Sequence, residues 1–333
     1  MTLGELKAVV GSLSMPPYTA GQIADWLYKK KIRTIDEMTN ISAKNRLLLA
    51  SQFEVGLKPP AGKKESADGT VKYLFAAGGG DDKFVETVFI PAKERSTLCV
   101  SSQIGCKMKC AFCMTGRQGF KGNLTSNGIL NQILSAPECN ELTNVVFMGM
   151  GEPLDNYGEV LKTLEILTAP YGFGWSPKRI TVSTIGILPS LKRFLDESSC
   201  NLAVSLHSPY HDERLSLMPA EKAFPIDAVI DLLHEYDFSH QRRVSFEYIM
   251  FEGVNDSEQH AKDLARMLRG IECRVNIIRF HYIKGINLHS CGERKMEFFR
   301  DTLNALGITA TIRTSRGEDI LAACGMLSTG KRQ

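Results

Sequence analysis

Three cysteines, Cys106, Cys110 and Cys113, stand in the stretch Gly105-Cys-Lys-Met-Lys-Cys-Ala-Phe-Cys113, at Cys-x3-Cys-x2-Cys spacing. Three thiolates on one loop can hold three irons of a cubane and leave the fourth iron open to a substrate. A structural zinc site more often shows paired Cys-x2-Cys knuckles and a fourth protein ligand, and no second pair occurs here. The nine cysteines of the chain are odd in number. In a reducing compartment such a set reads as metal or redox chemistry rather than as a disulfide framework.

Other residues carry weaker signals. Glu152 follows Gly149 and Gly151 in Phe147-Met-Gly-Met-Gly-Glu-Pro153. Glycines let a backbone approach a ligand, and the carboxylate can take hydrogen bonds from an amino group, although a tight turn explains a lone GxGE equally well. Cys99 lies seven residues ahead of Cys106, and Cys324 sits in a small-residue segment, Ala-Ala-Cys-Gly, that reads as mobile. In isolation each would be an ordinary buried thiol. Glu86 interrupts the apolar run Val85-Glu-Thr-Val-Phe-Ile90, where most such glutamates face solvent. A lone His207 would more often be a satisfied histidine. Cys139, Cys200, Cys273 and Cys291 have no motif around them, and Trp26 and Tyr28 read as packing residues.

Such residues act only if regular elements hold them. In residues 1–55, Ile23, Trp26 and Leu27, then Ile35, Met38 and Ile41, recur at mostly three- and four-residue spacing, which predicts helices. Pro59-Pro60-Ala61-Gly62 breaks that pattern. Extended runs at 71–75 and 84–90, separated by a segment containing Gly78 to Asp82, predict a hairpin with a loose turn. Beyond residue 97, extended runs at 97–102, 144–150, 179–184, 201–207, 243–251 and 274–281 alternate with helical ones. One helix starts after the candidate N-cap Thr125; others cover 157–167, 190–196, 226–236, 257–269 and 295–306, and a last extended run spans 309–314. Six βα units with apolar strands predict an α/β fold with a helix-covered parallel sheet, barrel-like or doubly wound. In a barrel, chemistry gathers at the C-terminal strand ends.

At 333 residues the chain can bury a sizeable core. No apolar run is long enough to span a bilayer and no signal-peptide layout opens the chain, so a cytoplasmic protein away from membranes is expected. The net charge of +3 decides nothing, but residues 1–64 hold ten Lys/Arg against five acids. That local excess suits a polyanion, or else marks a solvated helical face.

The cysteine loop, with an aromatic before its last cysteine, resembles the radical-SAM superfamily. Several longer stretches resemble the RlmN/Cfr RNA methyltransferases. They are Cys99-Val-Ser-Ser-Gln-Ile-Gly-Cys106, Cys113-Met-Thr-Gly-Arg-Gln-Gly-Phe120, the Phe147–Pro153 stretch, Ser183-Thr-Ile-Gly186, Ser205-Leu-His207 and Arg316-Gly-Glu-Asp-Ile-Leu-Ala-Ala-Cys-Gly325. Gln22-Ile-Ala-Asp-Trp26 is similar to that family's N-terminal domain.

The resemblance implies a partial (β/α)6 TIM-like radical-SAM barrel over 97–320, after a helical RNA-binding domain over 1–60 and a linking β-hairpin segment over 61–96. Residues 321–333 would form a C-terminal segment carrying Cys324. It implies a [4Fe–4S] cluster on Cys106, Cys110 and Cys113, and S-adenosyl-L-methionine (SAM) at Glu152, Pro153, Ser183, Ser205, Leu206 and His207. His281 stands where the family usually has asparagine. Cys324 would carry a methyl group, Cys99 would resolve it, leaving a disulfide, and Glu86 would accept the ring proton. Two SAM molecules and an external electron donor would serve each turnover. The implied substrate is the peptidyl-transferase-centre adenosine of 23S rRNA at C2, with a tRNA adenosine beside the anticodon as a second. A monomer is expected. The alternative is a Cfr-like enzyme acting at C8, which Ser205-Leu-His-Ser-Pro-Tyr210 resembles more closely.

Overall fold

The computed structural model describes residues 1–78, 83–239 and 242–329. The turn expected at 79–82 and the last four residues of the C-terminal segment lie outside the described residues. Three short helices open the chain: α1 (Leu3–Ser12), α2 (Thr19–Ala24), which runs on into a π-turn at Asp25–Lys29, and α3 (Ala43–Ala50). Thr2 and Glu5 form a reciprocal capping box on α1, satisfying amides that the helix itself cannot pair. This helical unit is tied to the sheet-forming part of the chain. Tyr28 is buried and stacks on Phe173 at 6.1 Å, while the Lys31 Nζ donates to the Cys139 carbonyl at 3.0 Å.

Beyond it the described residues form twelve strands with their helices. The first four strands are β1 (Gly62–Glu65), β2 (Val71–Ala76), β3 (Phe84–Ala92) and β4 (Arg95–Cys99). A small ribbon, β5 (Gln103–Ile104) and β6 (Gly122–Asn123), encloses helix α4 (Met114–Arg117). Then come α5 (Ser126–Leu134), β7 (Asn144–Phe147), α6 (Tyr157–Thr168), β8 (Ile180–Thr184), α7 (Leu188–Glu197) and β9 (Asn201–Ser205). The chain closes with α8 (His211–Leu217), α9 (Ile226–His234), β10 (Val244–Met250), α10 (Glu258–Met267), β11 (Cys273–Arg279), α11 (Glu293–Ala305) and β12 (Thr309–Ile312). The expected N-cap at Thr125 forms, its hydroxyl accepting from the Gly128 amide at 3.2 Å.

Ten strands make one sheet in the order β1-β2-β3-β4-β7-β8-β9-β10-β11-β12. The strands from β4 to β12 run parallel, while β1, β2 and β3 pair antiparallel and extend the same sheet from its β4 edge. The hairpin expected at 71–90 is therefore part of the barrel sheet. Register fixes which side chains share the inner face, because directly paired residues point the same way. Cys99 pairs with Val146, Val146 with Thr181, and Glu247 with both Ser205 and Asn276. The other faces of β8 and β9 bury Ile180, Val182, Leu202 and Val204 against helices, which fixes the register. No helix is long and apolar enough to cross a membrane among the described residues.

Candidate active site at the C-terminal strand ends

The three-cysteine loop leaves β4 through a buried polar brace. Ser101 Oγ donates to the Glu86 carbonyl at 2.6 Å and accepts from the Met150 amide at 2.8 Å. Gly105 then turns the chain at φ +74°, where a Cβ would be driven into the Gly119 carbonyl. Only glycine fits such a position. The Ala111 amide donates to the Leu217 carbonyl at 2.8 Å and the Cys113 amide to the Cys110 carbonyl at 3.2 Å, so the loop is pinned between its own ligand candidates.

Cys106 and Cys110 are buried and Cys113 is half-buried. Burial pushes the Cys106 thiol up to about 12. It holds Cys110 well above the usual range, with the charges of Cys113 and Cys106 adding to the effect. Three thiols crowded in a desolvated loop stay protonated unless a multiply charged cation joins them, which is what a cluster supplies. Among the described residues no set of three His, Cys, Asp or Glu side chains converges on a single-ion site. A cubane does not require one, since each thiolate takes its own iron. The residues present fit the cluster.

The residues expected at SAM form a chain across neighbouring strand ends. Glu152 is buried, and its carboxylate accepts from the Ile185 amide at 3.0 Å and the Leu154 amide at 3.1 Å. Burial raises it to about 7 despite those bonds. Pro153 starts the 3-10 turn Pro153–Asn156 directly behind it. Ser183 and Ser205 sit on the inner face near the ends of β8 and β9, and Leu206 is fully buried. His207 adopts φ +60°, rare for a side chain with a Cβ. Its Nδ1 lies 3.0 Å from the Ile249 amide, which must donate, so the ring is neutral and carries its proton on Nε2. Burial, helped by the Arg214 charge, pushes its pKa down to about 3. Its ring meets the edge of Phe112, inside the cysteine loop, at 4.8 Å.

His281 is not brought to this group. Its Nε2 lies 3.0 Å from Ser315 Oγ. Its Nδ1 is 3.1 Å from the Glu318 carboxylate, an ion-pair distance without hydrogen-bond alignment. Both partners belong to the segment that leads to Cys324.

That segment docks on the cysteine loop, in contrast to the mobility its small residues suggest. The Met114 amide donates to the Gly325 carbonyl at 2.8 Å, and Thr115 Oγ1 to the Leu327 carbonyl at 2.7 Å. The Ser328 amide donates to Glu86 Oε2 at 2.9 Å, and Lys72 Nζ to the Leu321 carbonyl at 3.0 Å. Glu86 is buried, unlike most strand glutamates, and pairs with Lys72 at 3.1 Å. Burial raises its carboxyl, with Lys72 and the Ser328 amide opposing. Cys99 is buried and its thiol is pushed up to about 12 by burial and then by the charge of Cys324. Cys324 keeps solvent exposure, yet the protein around it still raises its thiol, and Arg313 opposes. All nine cysteines are free thiols, so the disulfide implied by the resemblance is not formed here.

Two groups escaped the sequence reading. Lys72 breaks the β2 run as Glu86 breaks β3. In the register Lys72–Val88 and Leu74–Glu86 they are diagonal neighbours on one face. Two interrupted strands flanking one turn are a readable sign of such a pair. Arg214 has no such sign. It is fully buried, paired with Glu221, and donates to the carbonyls of Ile185, Ser205 and Leu206, all at 3.0 Å. It thereby ties the Glu152 partner to the Ser205–His207 turn.

The chain matches the Radical SAM superfamily over residues 100–265 and the ribosomal RNA large subunit methyltransferase N-terminal domain over residues 1–55. It is 65% identical over 331 residues to a probable dual-specificity RNA methyltransferase RlmN of Parabacteroides distasonis, covering 99% of this chain and 96% of the relative. The chain belongs to the RlmN family of radical-SAM RNA methyltransferases. A dual-specificity RNA methyltransferase RlmN of Syntrophus aciditrophicus is 41% identical, covering 98% of this chain and 95% of that one. The crystal structure of a radical SAM methyltransferase from Sphaerobacter thermophilus superposes with a TM-score of 0.91 at 38% identity, covering 99% and 98% of the two chains. The family's barrel is thus the fold of this chain.

Proposed function

We propose that this protein methylates C2 of an adenosine in 23S rRNA, and of an anticodon-loop adenosine in tRNA, through a methyl group carried on Cys324. The observation that carries the reading is the pair of non-cluster thiols, Cys99 and Cys324, which share one electrostatic environment beside the cysteine loop. A methyltransferase acting on nitrogen or oxygen has no need of them. Adenine C2 is an electron-poor carbon that does not attack a SAM methyl, so the methyl must pass through a protein atom that can present it as a carbon radical. When bound, the [4Fe–4S] cluster and SAM supply the radical chemistry. Cys106, Cys110 and Cys113 would hold the cluster. Glu152, Pro153, Ser183, Ser205, Leu206 and His207 would hold SAM, with His207 donating from Nε2.

His281, by contrast, serves the Cys324 segment through Ser315 and Glu318. Glu86, its carboxyl raised by burial, takes the ring proton, and Lys72 keeps it ionised until then. Cys99 then frees the product by attacking the Cys324 sulfur. Two SAM molecules per turnover, an external electron donor, a cytoplasmic site and a monomeric enzyme complete the proposal. So do domain limits at 60, 96 and 320, with the basic 1–60 region binding RNA. Full-length relatives at 57% and 65% identity bear the RlmN name, which favours C2 over C8.

The test is analysis of the product nucleoside. RNA from cells lacking the native enzyme, treated with the reconstituted protein and SAM, should yield 2-methyladenosine by mass spectrometry. Formation of 8-methyladenosine would hand the site to the Cfr-like reading.

A further inference from the structure

Beneath the two non-cluster cysteines lies an ion pair with no assigned role. Arg313 follows β12 and is held by its own amide, which donates to the Ile277 carbonyl at 2.8 Å. Its guanidinium crosses the inner face to Glu247 at 3.3 Å and to Met148 Sδ at 3.8 Å. Glu247 is buried and is itself fixed by Asn276 Nδ2 at 2.7 Å and Ser245 Oγ at 3.1 Å. The Met148 backbone in turn hydrogen-bonds Cys99. One residue, Met148, thus touches the guanidinium with its side chain and the Cys99 thiol with its backbone. Burial works against the Arg313 charge, but Glu247 and then the two cysteines keep the guanidinium firmly protonated.

Among the described residues, the other charges around Cys99 are few. Cys324 approaches from the C-terminal segment, Glu247 stands behind Arg313 on β10, and the Glu86–Lys72 pair occupies β3 and β2. Since Lys72 is matched by Glu86, Arg313 is the cation among them left to act on the thiols. A cavity of about 700 Å³, entered from the N-terminal strand ends between Thr97, Asn144 and Thr309, reaches Met148, Glu247 and Arg313. Solvent can therefore meet this pair from the end of the barrel opposite to the cysteine loop.

We propose that Arg313, positioned by Glu247, is the residue that activates Cys99 for release of the methylated base. The inference rests on the two-cysteine reading above. In the step concerned, the Cys99 thiolate attacks the Cys324 sulfur. The S–S bond forms and the bond from that sulfur to the methylene carbon on the base breaks. The electron pair goes to that carbon, which takes a proton from water to become the methyl group. The cysteine pair is oxidised by two electrons and the carbon is reduced by two. The proton first lost from Cys99 leaves to solvent in the cavity. A nearby cation favours the thiolate that this attack needs.

Two substitutions in the full-length protein give opposite signs. Cys99 alkylation by excess iodoacetamide at pH 8, without RNA and followed by peptide mass spectrometry, reads thiolate formation directly. Arg313→Met should slow it about tenfold, one pKa unit's worth. Arg313→Lys should restore most of the rate. Glu247→Gln, which leaves the guanidinium unneutralised, should speed it about threefold. With RNA present, Arg313→Met should accumulate the covalent protein–RNA intermediate, and raising the pH should relieve it. A merely structural pair predicts that both variants move alkylation the same way, and that result overturns the proposal, as does an unchanged rate in Arg313→Met. Iron content and melting temperature identify a variant that fails to fold; in that event Arg313→Lys and Glu247→Gln still decide. Because alkylation needs neither SAM nor RNA, its failure is distinguishable from failure of the two-cysteine route.

Discussion

Replacing Lys72 with methionine leaves the Glu86 carboxylate without its buried cation, and the cost should depend on pH in a calculable way. Both side chains are nearly shielded, at 8% and 10% exposure. Breaking such a pair from one side typically costs about 3–5 kcal/mol. Glu86 can limit the loss by taking up a proton. Neutralising a carboxyl of ordinary pKa near 4.3 costs about 1.36 kcal/mol per pH unit above that value, hence about 3.7 kcal/mol at pH 7 and about 1 kcal/mol at pH 5. Proton counts give the sign. The folded variant binds a proton that the unfolded chain has released, so its stability falls as pH rises through this window. The unpaired Leu321 carbonyl adds a smaller, pH-independent loss. Urea denaturation of wild type and variant at pH 5 and 7 measures the difference, and adding Glu86→Gln to Lys72→Met should remove its pH dependence. An equal loss at both pH values would refute the buried pair and, with it, the reason Glu86 is ionised when RNA arrives.

Gly105→Ala should abolish cluster loading while leaving the rest of the barrel folded. Its Cβ meets the Gly119 carbonyl, and φ +74° is strained for alanine; iron analysis and circular dichroism of the reconstituted protein check both halves. SAM affinity should weaken several-fold between pH 8 and pH 6, because a Glu152 carboxyl at about 7 loses its charge as pH falls through that value. Isothermal titration of the reconstituted enzyme reads this, and Glu152→Gln should bind weakly with no such slope.

How much could be read beforehand depends on how local each feature is. The cysteine triad spans eight residues, so spacing alone exposes it, and the βα alternation predicts the parallel strands because each one is a run long enough to show its pattern. Two-residue strands such as β5 and β6 have no period to detect. Glu152 announces itself through its glycines, but its raised carboxyl comes from strand ends brought together only by folding. Cys99 and Cys324 became legible through family resemblance, since nothing local distinguishes either from a packing thiol. Arg214, Arg313 and Glu247 stayed hidden for a related reason. A buried charge is defined by its partners, and these partners come from distant strands. The His281 assignment shows the opposite error: a position transferred from a motif whose side chain, here, is engaged by Ser315 and Glu318.

The central claim is that two cysteines outside the cluster divide the work, one carrying the methyl group and one releasing it. Cys99→Ala leaves the carrier and removes the release, so the protein expressed in cells should purify covalently joined to RNA. On a denaturing gel it should run as a band that collapses to free protein after nuclease treatment. The Cys99→Ala/Cys324→Ala double variant should give no such band, because the methyl never reaches the protein. Normal turnover by Cys99→Ala, or an RNA adduct on Cys324→Ala, would contradict the account.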